Sequence, residues 1–150
     1  MEKPLLKVLA FDIAKRTGVA FLDDAGFDCD VIKFDSLLKL KLDFTTMINK
    51  WKPDLVVTPQ PFGFNRTALF NHGCYHGILE LVCEKLRIPF VRLTGEHSES
   101  HIKKVILGSG KHTKQEVMDR YGRDDDDIAD ACMFSEYARK TFSKRSATER

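Results

Sequence analysis

Three strand-like segments crowd into the first thirty-four residues, and they constrain the fold of this 150-residue chain more than any other feature. Residues 5–11 (LLKVLAF) are an apolar run ending on Asp12, residues 19–22 (VAFL) follow a polar stretch, and residues 27–34 alternate in part. The DDAG at 23–26 reads as a tight hairpin turn, so the three segments form an antiparallel meander. After Ser36 the period changes. Ser36 is placed to cap a helix in which Leu37, Leu40, Phe44, Met47, Ile48 and Trp51 recur at helical spacing up to Pro53. Residues 55–58 (LVVT) read as a fourth strand and residues 89–93 as a fifth. Between them, residues 66–86 read as a long helix anchored by Leu69, Phe70, Ile78, Leu81 and Val82. The remainder is helical, near 95–107, 113–121 and 126–142.

The order βββαβαβ followed by helices describes an α/β fold, a five-stranded mixed sheet flanked by helices. The helix between the fourth and fifth strands demands a parallel, right-handed crossover there. No repeat, low-complexity stretch or linker divides the chain. We expect one domain over residues 1–142, burying roughly two-thirds of its unfolded surface, and a basic tail over 143–150. No apolar run approaches the roughly 18 residues that span a bilayer. The four cysteines form no C-x-x-C pair, which favours a reducing, cytoplasmic compartment over a disulfide framework. The net charge of +2 conceals an asymmetry: residues 124–127 are all Asp, whereas residues 139–150 carry five basic residues and one acid. With a cation on the acids, the remaining surface would suit a polyanionic partner.

The acids themselves are arranged suggestively. Asp12 ends the first strand, where α/β sheets display functional side chains, although Asp also favours turns through its own hydrogen bonds. In RDDDDIADACMF, Asp127 and Asp130 are three apart and share one helical face, with small residues Ala129, Ala131 and Cys132 permitting close approach to the sheet. Helix capping accounts for one or two acids of this run, but not for Asp130 one turn further on. Carboxylates gathered from distant segments repel unless a cation joins them. Hard oxygen ligands without a His/Cys set point to Mg²⁺ or Mn²⁺, and two such ions can support phosphodiester cleavage.

With these segments in view, the chain resembles the RuvC family of Holliday-junction resolvases, within the ribonuclease H-like and retroviral-integrase superfamily. The resemblance runs over residues 6–138 and rests on LAFDIAKRTGVAF, KPDLVVTPQPFGFN, HIKKVILGSGKHTKQEV and DDIADA, in that order. It implies a ribonuclease H-like fold and four carboxylates: one ending the first strand, a glutamate ending the fourth, and two on the last helix. Asp12, Asp127 and Asp130 fall on three of these. The glutamate's place falls to Gln60, or to Pro59 if the register shifts by one residue, and no carboxylate occurs between Asp54 and Glu80. The implied catalytic and metal-binding set is therefore Asp12, Gln60, Asp127 and Asp130, holding two Mg²⁺ ions per subunit, with Mn²⁺ as substitute. Gln60 is either a replaced glutamate in a catalytically disabled variant or a natural residue offering its amide oxygen.

The activity implied is cleavage of Holliday junctions and other branched DNA by a metal-dependent homodimer. The products would carry a 5′-phosphate and a 3′-hydroxyl, and the compact size suggests a phage version acting in the host cytoplasm. Lys103, Lys104, Lys111 and Lys114 surround LGSG and would hold phosphates, with Asn65 and Arg66 beside the fourth-strand turn. Phe62 and Phe64 would wedge into bases or pack in the core. The long helix, with Phe70, Tyr75 and Ile78 facing outward, would supply the dimer interface. Alternatives are an RNA-processing nuclease on the same fold and a non-catalytic branched-DNA-binding module with natural Gln60. The His72/His76 and His97/His101 pairs lack the further ligands of a zinc site, and GSGK is not a complete phosphate-loop motif.

Overall fold

The computed structural model describes residues 5–61 and 65–148, so Phe62 and Phe64 lie outside the described residues. Five strands, β1 (Val8–Asp12), β2 (Arg16–Asp23), β3 (Gly26–Lys33), β4 (Leu55–Pro59) and β5 (Phe90–Leu93), form one sheet in the order β3-β2-β1-β4-β5. The β1–β2 and β2–β3 pairings are antiparallel, whereas β1–β4 and β4–β5 are parallel, as the crossover helices require. β2 begins earlier than the apolar pattern suggested. Thr17 is fully buried, and its hydroxyl donates to the Ala14 carbonyl at 2.7 Å, which ties off the β1–β2 turn. Hydrogen bonding rather than hydrophobicity starts that strand.

Helix α1 (Leu37–Trp51) is capped by Ser36, whose hydroxyl accepts from the Lys39 amide. Helix α2 (Arg66–Leu86) matches the expected span, but its apolar face is rotated from the expected one. Tyr75, His76, Leu79, Val82 and Cys83 are buried, whereas Leu69, Phe70 and Leu81 are exposed. Tyr75, expected to face outward, packs edge-on to Phe34 with ring centroids 4.9 Å apart. A short 3₁₀ turn (Gly95–His97) leads to α3 (Glu99–Leu107), then α4 (Lys114–Tyr121) and α5 (Asp126–Thr148). Helix α5 runs beyond the expected end at residue 142.

Alternation along the strands divides the core into two layers. Leu9, Phe11, Val19, Phe21 and Val56 face α1 and α2, where Phe11 meets Phe44 edge-on at 4.8 Å. Val8, Ala10, Ala20, Leu55 and Val57 face α5, which lays Ala129, Cys132, Met133 and Ala138 against the sheet. The approach of α5 is very close at its first turn. A Cβ on Gly18 would stand 2.2 Å from the carbonyl oxygen of Asp127, so only glycine at that point of β2 admits the helix. Gly18 is also the register partner of Asp12. The helix start is thereby delivered to the end of β1.

Candidate active site

At the carboxyl ends of β1 and β4, a cleft of about 610 Å³ opens between the sheet, α3 and α5. Asp12, Gln60, Asp127 and Asp130 all line it, joined by Pro59, His72, His97, Glu99 and Lys114. Asp12 is held there by its strand. The buried Thr58 hydroxyl donates to the Phe11 carbonyl at 2.8 Å, locking β4 to β1 one residue before the acid. The residue keeps a partly exposed edge, while its carboxyl is surrounded by protein. Among the described residues no hydrogen-bond donor or cation lies against that carboxyl. Burial first, then the charges of Asp130 and Asp127, hold it well above the ordinary carboxylate range.

Asp130 is in the same position. Burial, followed by the charge of Glu99, pushes its pKa up to about 7, with Lys103 pulling the other way. Asp127 differs because Arg16 reaches it. The guanidinium donates to Asp127 at 2.9 Å and grips Asp125 with both terminal nitrogens. Burial still raises the Asp127 pKa against this contact, while the Arg16 hydrogen bond lowers that of Asp125. Asp125 further accepts from the backbone amides of Asp127 and Ile128, capping α5. The carboxylate oxygens of Asp125, Asp126 and Asp127 approach within 4.8 Å of one another, with Arg16 on Asp125 and Asp127 and Lys114 beside Asp126. Asp12 and Asp130 are therefore the enclosed acids of the cleft that no ion pair holds among the described residues, with Lys103 acting on Asp130 from a distance.

The register decides which residue stands beside Asp12 on β4. Val8, Leu9 and Ala10 pair with Leu55, Val56 and Val57, and continuing that pairing sets Asp12 against Pro59. Pro59 also pairs with Leu93, whose side chain belongs to the α5 side of the sheet. Gln60 lies one residue past the strand end and is exposed, although it still borders the cleft. No carboxylate projects from the end of β4.

The expected DNA-contacting residues fall into separate groups. Lys103, Lys104 and Lys111 line a small depression with Gly110, His112 and Glu99, and Glu99 also borders the cleft. Lys114 borders the cleft itself and stands 3.4 Å from Asp126. Arg66 is exposed at the start of α2, while the Asn65 side chain accepts from the Ala68 amide and caps that helix. The 108–112 loop is held by His112, which bonds Glu116 at 2.6 Å and the Gly108 carbonyl at 2.9 Å, with Gly108 and Gly110 at positive φ. Of the histidines, His97 bonds the Tyr137 hydroxyl and His76 is buried, its pKa lowered to about 4 by burial. Sequence patterning did not single out Arg16, Gly18 or Glu99. A glycine in a strand and an acid after a serine cap were the only signals available.

The sheet order, the parallel β1–β4 core and the helix crossing it at the Asp12 end define the ribonuclease H-like fold. Thermus thermophilus RuvC in complex with a Holliday junction substrate superposes with a TM-score of 0.71 at 14% identity, covering 94% of this chain and 96% of that one. The yeast mitochondrial Holliday junction resolvase Ydc2 gives a TM-score of 0.56 at 14% identity over 97% and 86% of the two chains. In sequence, the chain is 29% identical over 99 residues to the crossover junction endodeoxyribonuclease RuvC of Prochlorococcus marinus strain MIT 9312. Within the ribonuclease H-like class of folds, the chain is thus similar to RuvC in fold and, over part of its length, in sequence. The match covers 61% of this chain and 60% of the length of that relative. No family model matches the chain.

Proposed function

We propose that the chain is a divalent-metal-dependent endonuclease of the RuvC type, cutting Holliday junctions and other branched DNA. One observation carries the reading. Asp12 meets Asp127 and Asp130, more than a hundred residues further along the chain, in a single cleft where, among the described residues, no cation lies against Asp12 and Lys103 only partly offsets the burial of Asp130. Like charges held together in this way are unfavourable unless a cation joins them. The all-oxygen donor set fits Mg²⁺ or Mn²⁺. Such ions supply Lewis-acid stabilisation of the phosphate and lower the pKa of an attacking water. Asp12, Asp127 and Asp130 would hold them. Lys103, Lys104 and Lys111 would neutralise backbone phosphates beside the cleft without reading bases.

We read Gln60 as a residue bordering substrate rather than as a substitute for a ligand, because the register gives the place beside Asp12 to Pro59. The exposed Leu69 and Phe70 at the start of α2 support pairing of two copies through that helix, which would suit a substrate with two equivalent strands. The lack of a carboxylate on β4 favours a second reading, a branched-DNA binder without cleavage. A gel assay on four-way, three-way and linear duplex DNA, and on RNA, tests the choice. We expect Mg²⁺-dependent nicking of the branched DNA, abolished by Asp12→Asn. Tight binding without nicking supports the binder, and preferential cutting of RNA overturns the DNA assignment.

A further inference from the structure

We propose that Glu99 supplies the fourth carboxylate of the metal centre, in place of a side chain at the end of β4. This rests on the reading of the cleft as a divalent-metal nuclease site. Three observations converge on it. First, the register leaves Pro59 beside Asp12, so the sheet contributes a single acid to the cleft. Second, Glu99 borders the same cleft as Asp12, Asp127 and Asp130, opposite the sheet on α3. It is the remaining acid of the described residues that do so. Third, its side chain makes no hydrogen bond or ion pair with any described residue. Lys103, one turn later on α3, acts on Asp130 as well as lining the depression beside Glu99.

A helix start favours an acid for reasons unrelated to function, since the first turn carries partial positive charge. That explanation, together with the lysines of the depression that Glu99 also borders, accounts for an acid at this position but not for its place on the rim of the acidic cleft. Ser98 already caps α3, its hydroxyl accepting from the His101 amide. A glutamate serving the dipole alone would gain by standing clear of other carboxylates. Glu99 instead acts electrostatically on both Asp12 and Asp130. Asp12 is the enclosed, unpartnered carboxylate at the centre of the group, and a shared cation is the natural way to satisfy all of them.

The arrangement moves one ligand from the sheet to the helix facing it. The glutamate side chain is long enough to approach the cleft from its rim, and the cap at Ser98 fixes where its stem begins. The net charge available to divalent ions is then four carboxylates, the number that the family resemblance implies.

The test is Mn²⁺ binding to the full chain, followed by calorimetry and by the loss of the free Mn²⁺ paramagnetic resonance signal. Four proteins are compared: wild type, Asp12→Asn, Glu99→Gln and Glu96→Gln, the last being a neighbouring exposed acid outside the cleft. Glu99→Gln should weaken Mn²⁺ by about tenfold or more, on the scale seen when a ligand or its support is removed. Glu96→Gln should leave binding unchanged. The double variant Pro59→Glu with Glu99→Gln should recover part of the lost affinity. If Glu99→Gln binds like wild type while Asp12→Asn does not, Glu99 is no ligand and the metal centre stands without it. If wild type itself takes up no Mn²⁺, the metal centre fails and this assignment falls with it.

Discussion

Replacing Asp130 with asparagine should stabilise the metal-free chain above neutral pH, although it removes a charged group from the cleft. Burial and neighbouring acids push the folded pKa of Asp130 up to about 7, against an ordinary value of 3.8. That gap of about 3 units corresponds to about 4 kcal/mol opposing the folded state once the group is fully ionised. The sign follows from proton uptake. Between the two values the folded chain holds more protons than the unfolded chain, so stability falls as pH rises from about 4 to about 7, and the penalty is complete above that. Asparagine removes the charge but still buries an amide, so recovery should be on the order of 1–3 kcal/mol. Urea unfolding in EDTA at about pH 5 and pH 8 measures this directly. The variant should exceed wild type at the higher pH, and its own change between the two conditions should shrink. Mg²⁺ should raise the melting temperature of wild type but not of the variant, because only the former gains a site by binding. A variant less stable than wild type at pH 8 would refute the claim that uncompensated charge burdens this cleft.

Two other changes probe how the cleft is assembled. Gly18→Ala places a methyl group 2.2 Å from the Asp127 carbonyl oxygen, so α5 must shift at its start. We expect a loss of about 1–3 kcal/mol in urea unfolding, together with weaker Mn²⁺ binding. Unaltered stability would show that the helix start is not seated on Gly18. Arg16→Met removes the cation shared by Asp125 and Asp127 and should lower stability slightly at neutral pH, the contact being partly solvated. Because Arg16 lowers the Asp125 pKa, that contribution exists above the ordinary Asp value and vanishes as pH falls through the folded one. Melting curves for variant and wild type should therefore converge in acid, and a difference that persists there would assign the loss to packing.

The order of elements was legible because each rests on local signals that the fold does not override. The helical period after Ser36, the turn at 23–26 and the apolar run before Asp12 all recur as elements with nearly the expected bounds. What escaped detection depends on contacts between segments distant in sequence. The buried face of α2 was misjudged because Leu69, Phe70 and Leu81 look like core residues, whereas Tyr75 and His76 do not. Hydropathy alone cannot say which side of a helix meets the sheet when both sides carry apolar groups. Arg16 escaped for a related reason. Its partners lie 109 and 111 residues away, and nothing near it in sequence announces them.

The same distinction separates Gln60 from Pro59, the two positions that the resemblance offers for the second acid. Reading along residues 55–65, Gln60 is the polar residue at the strand end and so invites comparison with a carboxylate. Strand register follows a different rule: facing is fixed by parity counted from the buried residues, and Leu55 and Val57 carry Pro59 to the α5 side. A proline at the last position of β4 leaves the sheet end without an ionisable group there. The cleft then has a gap in charge where the resemblance implies a ligand, and an acid entering from any wall could fill it. The wall opposite is the 3₁₀ turn and the start of α3, which touch the cleft through His97, the cap Ser98, Glu99 and Ile102. Among these only Glu99 offers an anionic oxygen. A metal centre of this kind therefore depends less on which strand or helix donates each acid than on how many acids the surrounding elements bring to one point.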